Sequence, residues 1–196
     1  ANLAIQGAIN AYGSVVVAGS SAAGSIDGFI YVAMNTFHQT AQTFLSQNIG
    51  AGKYARVKDI LKKCLLCTVV TGAILSTIAC VFSQPLLRIY NQDPAVVAAG
   101  AVRLYIAVAP DIIFGLADVL TGAIRGCGSP VRPVVINLLC TCVFRLLWIA
   151  AINTDTMPVT WVYASYPASW LVLLIALTVC WLRLYRRKIR PHLTPD

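Results

Sequence analysis

The stretch CLLCTVVTGAILSTIACVFSQ, Cys64 to Gln84, decides how the chain is read. It carries no charged residue over about 20 positions, the length at which an α-helix rising 1.5 Å per residue crosses a hydrocarbon core of roughly 30 Å. Similar runs lie on either side, at about 25–47, 96–122, 132–153 and 159–182. Residues 1–18 read as a partial span, cut short at its N-terminal end, and Ala1 stands where no initiator Met is found. The 196 residues are 58% hydrophobic and 11% charged, with mean hydropathy +0.75. A soluble domain carries roughly 25% charged residues. The fold class expected is therefore all-α integral membrane, a six-helix lobe with its first helix truncated, over residues 1–185. A basic tail follows at 186–196.

Short segments with turn chemistry separate the spans: GAGKY at 50–54, SQP at 83–85, NQDP at 91–94, RGCGSP at 125–130 and NTDTMP at 153–158. Charge sorts these loops. Lys53, Arg56, Lys58, Lys62 and Lys63 precede the 64–84 span, Arg125 and Arg132 flank the RGCGSP turn, and Arg183, Arg186, Arg187, Lys188 and Arg190 follow the last span. Arg88 stands alone in the other loops. Basic residues collect in cytoplasmic loops, so these loops and the C-terminus are expected in the cytoplasm of a cell membrane. The 56–63 stretch reads as a short interfacial helix with an Asp59–Lys63 pair at i,i+4. The net charge of +8 follows from this topology and needs no nucleic acid, for which no motif is present. The seven cysteines include one CxxC at Cys64 and Cys67, set in an apolar helix where Cys acts as a small hydrophobe. No metal or redox cofactor is expected.

Polar residues inside the spans carry the functional reading. In NTFHQTAQTFLSQN, Asn35 to Asn48, the residues Asn35, His38, Gln39, Gln42 and Ser46 fall on one helical face, which Gly24, Gly28 and Tyr31 extend upstream. Ile30, Ala33, Phe37, Ala41 and Phe44 make the opposite face, expected to meet lipid. A stripe three turns long exceeds what interhelical hydrogen bonding needs, so Tyr31, Asn35, Gln39 and Gln42 are expected to line a solvated cavity. His38 is a candidate proton relay or a bonded bundle residue.

The span Ala99–Gly126 carries Asp111 and Asp118 near membrane depth, where an ionisable group costs roughly 2.5–3.5 kcal/mol. Seven residues apart, they share a face with Gly115 and Gly122, which leaves room for a backbone, a cation or a substrate. Pro110 is expected to kink this helix. Both aspartates are candidates for coupling to protons or sodium. The alternative is a structural salt bridge to Arg145, itself on a polar face with Asn137 and Thr141. Tyr166 and Trp170, one turn apart in the last span, face a cavity or serve as packing.

Several stretches together resemble the multidrug and toxin extrusion (MATE) transporters. QNIGAGKY at 47–54 resembles the turn after the second helix of a lobe in that family. LTGAIRGCGSPVRP at 120–133 resembles its Leu-Arg-Gly-x-Gly loop, with Ile124 where Leu is usual. FRLLWI and SYPASW resemble late helices of its C-terminal lobe. The resemblance implies a twelve-helix antiporter of two lobes, with this chain as the C-terminal one. The partners implied are the bilayer, a missing N-terminal lobe and a small-molecule substrate. The activity implied is export of cationic or amphipathic compounds in exchange for protons or sodium, not enzyme chemistry. Two rivals stand beside it: a lipid-linked oligosaccharide flippase, whose cavity would need several basic residues, and a truncated membrane module that does not transport.

Overall fold

A computed structural model describes residues 2–151 and 157–193. Among these every regular element is helical, as expected for an all-α membrane lobe. In chain order they are α1 (Asn2–Asn10), α2 (Ser14–Gly50), α3 (Arg56–Val81), α4 (Ser83–Tyr90), α5 (Pro94–Arg103), α6 (Asp111–Gly126), α7 (Val131–Asn137), α8 (Phe144–Ala151) and α9 (Thr160–Leu184). The π-helical segment Leu104–Val108 follows α5, and Leu138–Val143 joins α7 to α8. A further π segment, Tyr185–Ile189, and a 3₁₀ turn, Arg190–His192, continue α9. Four helices are long and apolar enough to cross a membrane, and a fifth span is counted if the bent pair around Pro110 is one. The end of the expected 132–153 span, most of the NTDTMP turn and the last residues of the tail lie outside the described residues.

The observed helices differ from the expected spans in two places, and one expected ion pair is absent. The chain turns at Gly13, with φ 92°, so Ser14–Ala18 belong to α2 and not to the partial first span. Just beyond that stretch, Gly19 lets α2 pack closely on α5. A Cβ on Gly19 would lie 2.6 Å from the Val96 carbonyl oxygen and 2.7 Å from the Gly100 nitrogen. The 56–63 stretch is no separate interfacial helix, because nothing breaks the backbone ladder before Cys64 and it forms the first turns of α3. Asp59 and Lys63 do not form the expected pair, since His38–Asp118 is the only salt bridge among the described residues.

The 96–122 span is broken as Pro110 requires. Pro94–Val108 and Asp111–Gly126 meet at 45°, because proline lacks the N–H that would continue the ladder. Asp93 caps the first half by accepting from the Ala95 N–H at 2.9 Å, with Pro94 at N1.

The two turns that carry the family resemblance close in the same way. After α2, Lys53 N–H donates to the Asn48 carbonyl (2.8 Å) and Gly52 N–H to that of Ile49 (3.0 Å). After α6, Ser129 N–H donates to the Ile124 carbonyl (3.3 Å) and Gly128 N–H to that of Arg125 (2.9 Å). This is the Schellman pattern, which needs a left-handed residue just past the helix. Gly52 and Gly128 supply it at φ 72° and 73°.

The core gathers around α2 and α6. Leu45, Leu61, Ile124, Leu177 and Trp181 share one buried cluster, and Ile26, Ile30, Met34, Leu104 and Val108 share a second. Ile5, Ile9, Val162 and Tyr163 make a third. Phe29, Val32, Leu66, Leu147 and Ile175 point outward. The face of α2 opposite the polar stripe is not simply a lipid face. Ile30 and Ala41 are buried against the bundle, whereas Phe44 is exposed. Lipid and helix interior are equally apolar, so composition alone does not separate them.

Candidate functional site: a polar cleft beside the broken helix

Two adjoining cavities, of about 630 Å³ and 600 Å³, form one cleft bounded by α2, α6 and the α7–α8 span. They are continuous because Tyr31, Phe114, Asn137, Thr141 and Cys142 line both. One part is completed by Asp27, Asp111, Arg145, Tyr166 and Trp170. The other, nearer the RGCGSP turn, is completed by Asn35, His38, Gln39, Asp118, Thr121 and Arg125 among others.

The two aspartates of α6 lie in different surroundings. Asp118 has both oxygens satisfied: His38 Nδ1 is 2.9 Å from Oδ1, and Asn35 Nδ2 donates to Oδ2 at 2.9 Å. Asn35 also reaches the Tyr31 hydroxyl at 3.3 Å. Asp111, only 2% exposed, opens the first turn of α6 and leaves its buried Oδ2 without a hydrogen-bond partner. Asp27 on α2 lines the same part of the cleft, and its buried Oδ1 is equally bare. An unsatisfied buried polar atom costs about 1–3 kcal/mol, more when charged. Two carboxylates that line one cavity, each with a bare buried oxygen, make a place where a proton or a small cation would be stabilised.

Arg145 pairs with neither aspartate, so the alternative of a structural salt bridge is not what the structure shows. Its Nε donates to Ser169 Oγ at 2.8 Å. Its guanidinium lies 4.5 Å from the Tyr166 ring centroid and 5.9 Å from that of Trp170, so the rings and a hydroxyl hold the charge where no carboxylate does. Arg103 donates to the Ser20 carbonyl oxygen, and its guanidinium lies 5.7 Å from the Tyr166 ring centroid. Tyr166 therefore has two guanidinium groups near its ring.

An aromatic run crosses the cleft. Ring centroids are 5.8 Å apart for Tyr31–Phe114, 5.5 Å for Phe114–Trp170 and 5.8 Å for Tyr166–Trp170. These spacings suit tilted aromatic pairs. Such a wall accepts flat organic surfaces.

The cleft thus brings together Tyr31, Asn35, His38, Gln39, Asp111, Asp118, Arg145 and Tyr166 of the sequence reading. Gln42 lines neither part, because its backbone packs closely against α6. A Cβ on Gly126 would lie 2.7 Å from the Gln42 carbonyl oxygen. Gly115 and Gly122 do not open space for a ligand either. Gly115 takes the Met34 sulfur and Gly122 the His38 backbone. The residues that sequence reasoning passed over are Asp27 and Phe114. Asp27 is a carboxylate inside a span, four residues before Tyr31 and eight before Asn35. Phe114 lies on the same face of α6 between the two aspartates, at i+3 from one and i−4 from the other.

The MatE family model matches residues 1–149. Over 174 residues the chain is 21% identical to the "Probable multidrug resistance protein YoeA" of Bacillus subtilis, covering 88% of this chain and 38% of that protein. It is 29% identical to the "Probable multidrug resistance protein YpnP" of the same organism, over 73% of this chain and 32% of the relative. A protein of Shewanella oneidensis named "FAD transporter" is 27% identical over 70% of this chain and 30% of its own length. No solved structure matches. The chain spans about a third of the length of these relatives, which are named as transport and resistance proteins. With its apolar helices and its two Schellman turns in the motif positions, the chain belongs to the MatE family, the multidrug and toxin extrusion transporters.

Proposed function

We propose that the chain is the C-terminal lobe of a secondary exporter that expels cationic or amphipathic compounds in exchange for protons or sodium. The observation that carries this reading is the pair of buried, bare carboxylate oxygens of Asp27 and Asp111 in one cleft. Binding a proton or a sodium ion there relieves a large local penalty, so occupancy shifts the balance between two arrangements of the lobes. The aromatic wall Tyr31–Phe114–Trp170 takes the flat part of the cargo. Asp118, already held by His38 and Asn35, keeps α2 and α6 in register beside it. The lobe works in the cell membrane with its basic loops and C-terminus in the cytoplasm.

The test uses the whole transporter, including whatever lobe accompanies this one, reconstituted in proteoliposomes with an imposed pH or sodium gradient. Asp111→Asn should lower gradient-driven export of a cationic dye at least about tenfold, with normal membrane insertion. Undiminished coupled export by that variant would remove Asp111 from the mechanism.

A second reading is favoured by Arg145, buried at the cleft wall over Tyr166 and Trp170. A guanidinium beside stacked rings suits a planar anionic cargo, in keeping with the name of the Shewanella oneidensis relative. Quenching of Trp170 fluorescence separates the two readings. Saturable quenching by flavin nucleotides and not by cationic dyes would favour the anionic cargo.

A further inference from the structure

A groove of about 780 Å³ lies between α7 and α9, and none of the residues lining it lines the cleft. On the α9 side, Ala176, Val179, Cys180, Arg183 and Arg187 follow one another at helical spacing, so a single stripe runs from apolar to basic. Opposite it stand Val135 and Ile136, with Arg132 at the basic end. Three arginines thus gather at one end of the groove, beyond a slot of apolar side chains.

These arginines are exposed, and no carboxylate lines the groove. The only salt bridge among the described residues is His38–Asp118, so no described carboxylate neutralises any of the three. Guanidinium groups bind phosphate oxygens in pairs. Basic pockets between spans on the cytoplasmic side suit anionic head groups. The apolar slot below requires that the phosphate be attached to hydrocarbon.

We infer that this groove is a binding site for an anionic phospholipid, with its phosphate on Arg132, Arg183 and Arg187 and an acyl chain along Val135 and Val179. The site is independent of the cleft and of what the cleft transports. It rests on the three unneutralised arginines and on the apolar stripe that continues from them. A zwitterionic phospholipid carries no net charge to answer three guanidinium groups, so the site selects by charge while the slot holds either lipid's chains equally.

Native mass spectrometry of the purified full-length protein tests this, titrated separately with dioleoyl phosphatidylglycerol and dioleoyl phosphatidylcholine. The protein should retain phosphatidylglycerol about tenfold better than phosphatidylcholine. The triple variant R132Q/R183Q/R187Q should lose that preference. The variant K53Q/R56Q/K62Q removes the same charge from another basic loop and should keep it. Val135→Trp leaves every charge in place and fills the slot, so it should weaken retention of both lipids. The assignment is overturned if the arginine variant keeps the preference, if the lysine-rich loop variant loses it equally, or if Val135→Trp binds as the parent does. Should the arginine variant fail to fold, the Val135→Trp result decides alone.

Discussion

His38 Nδ1 and Asp118 Oδ1 lie 2.9 Å apart where α2 and α6 cross, 80 residues apart in the chain. Asn35 holds the other carboxylate oxygen. One helical turn of α2 thus satisfies Asp118 fully, while Asp111, seven residues earlier on the same face of α6, keeps a bare oxygen. The two aspartates look equivalent in sequence and sit in different surroundings.

The Asp118 network is energetically coupled. A double-mutant cycle with His38→Ala and Asp118→Asn should show a coupling of about 1–3 kcal/mol. Thermal unfolding of the full-length protein in one detergent supplies the four stabilities. Additive effects would mean that the contact contributes nothing beyond packing.

Helix contact at Gly122 leaves no room for a methyl group. A Cβ there would press on the His38 carbonyl, which is backbone and cannot rotate away. Gly122→Ala should destabilise by about 1–3 kcal/mol through overpacking. Gly28→Ala meets nothing within 4 Å and should be neutral or stabilising by about 0.5–1 kcal/mol, because Ala loses less backbone entropy in a helix. Equal melting temperatures for the two variants would contradict the close crossing.

Just past the end of α6, burial pushes the Cys127 thiol from 9.0 up to about 11, partly opposed by the Lys188 ammonium. The thiolate is the reactive form. Alkylation of Cys127 should therefore be slow at pH 8 and rise about tenfold per pH unit toward pH 11. Lys188→Gln removes the opposing charge and should slow it further. Between 9 and 11 the folded thiol keeps a proton that the unfolded thiol releases, so this group's contribution to stability falls as pH rises through that window. Mass-resolved labelling with iodoacetamide checks the rates, and a plateau below pH 9 would contradict the burial.

Much of the architecture was legible because the hydrocarbon core sets a strict length. Cys64–Gln84 admits no other reading, and Pro110 announces the break that the structure shows at 45°. Helix ends were less legible where small residues serve packing. Residues 1–18 read as one partial span and 19–24 fall between spans, yet Ser14 onward is helical in α2, with α5 packed against Gly19. The polar stripe located the cleft, since water-facing groups are rare in a bilayer. The apolar face behind it was misread at Ile30 and Ala41, because periodicity finds a face without naming its neighbour. Asp27 was within reach of the same cost argument that singled out Asp111. Its bare oxygen, and the pairing of Arg145 with rings instead of acids, depend on which helices meet, and no local pattern encodes that.

The unbroken α2 acts as a splint across the fracture at Pro110. Gly19 clamps it to α5 at Gly100 on one side of the break, and Gly122 and Gly126 clamp it to α6 on the other. Straightening the 45° elbow would have to tear one of these seams. Among the described helices this favours a bundle that keeps its shape as one stiff piece, with its elbow locked and Asp111 at the corner.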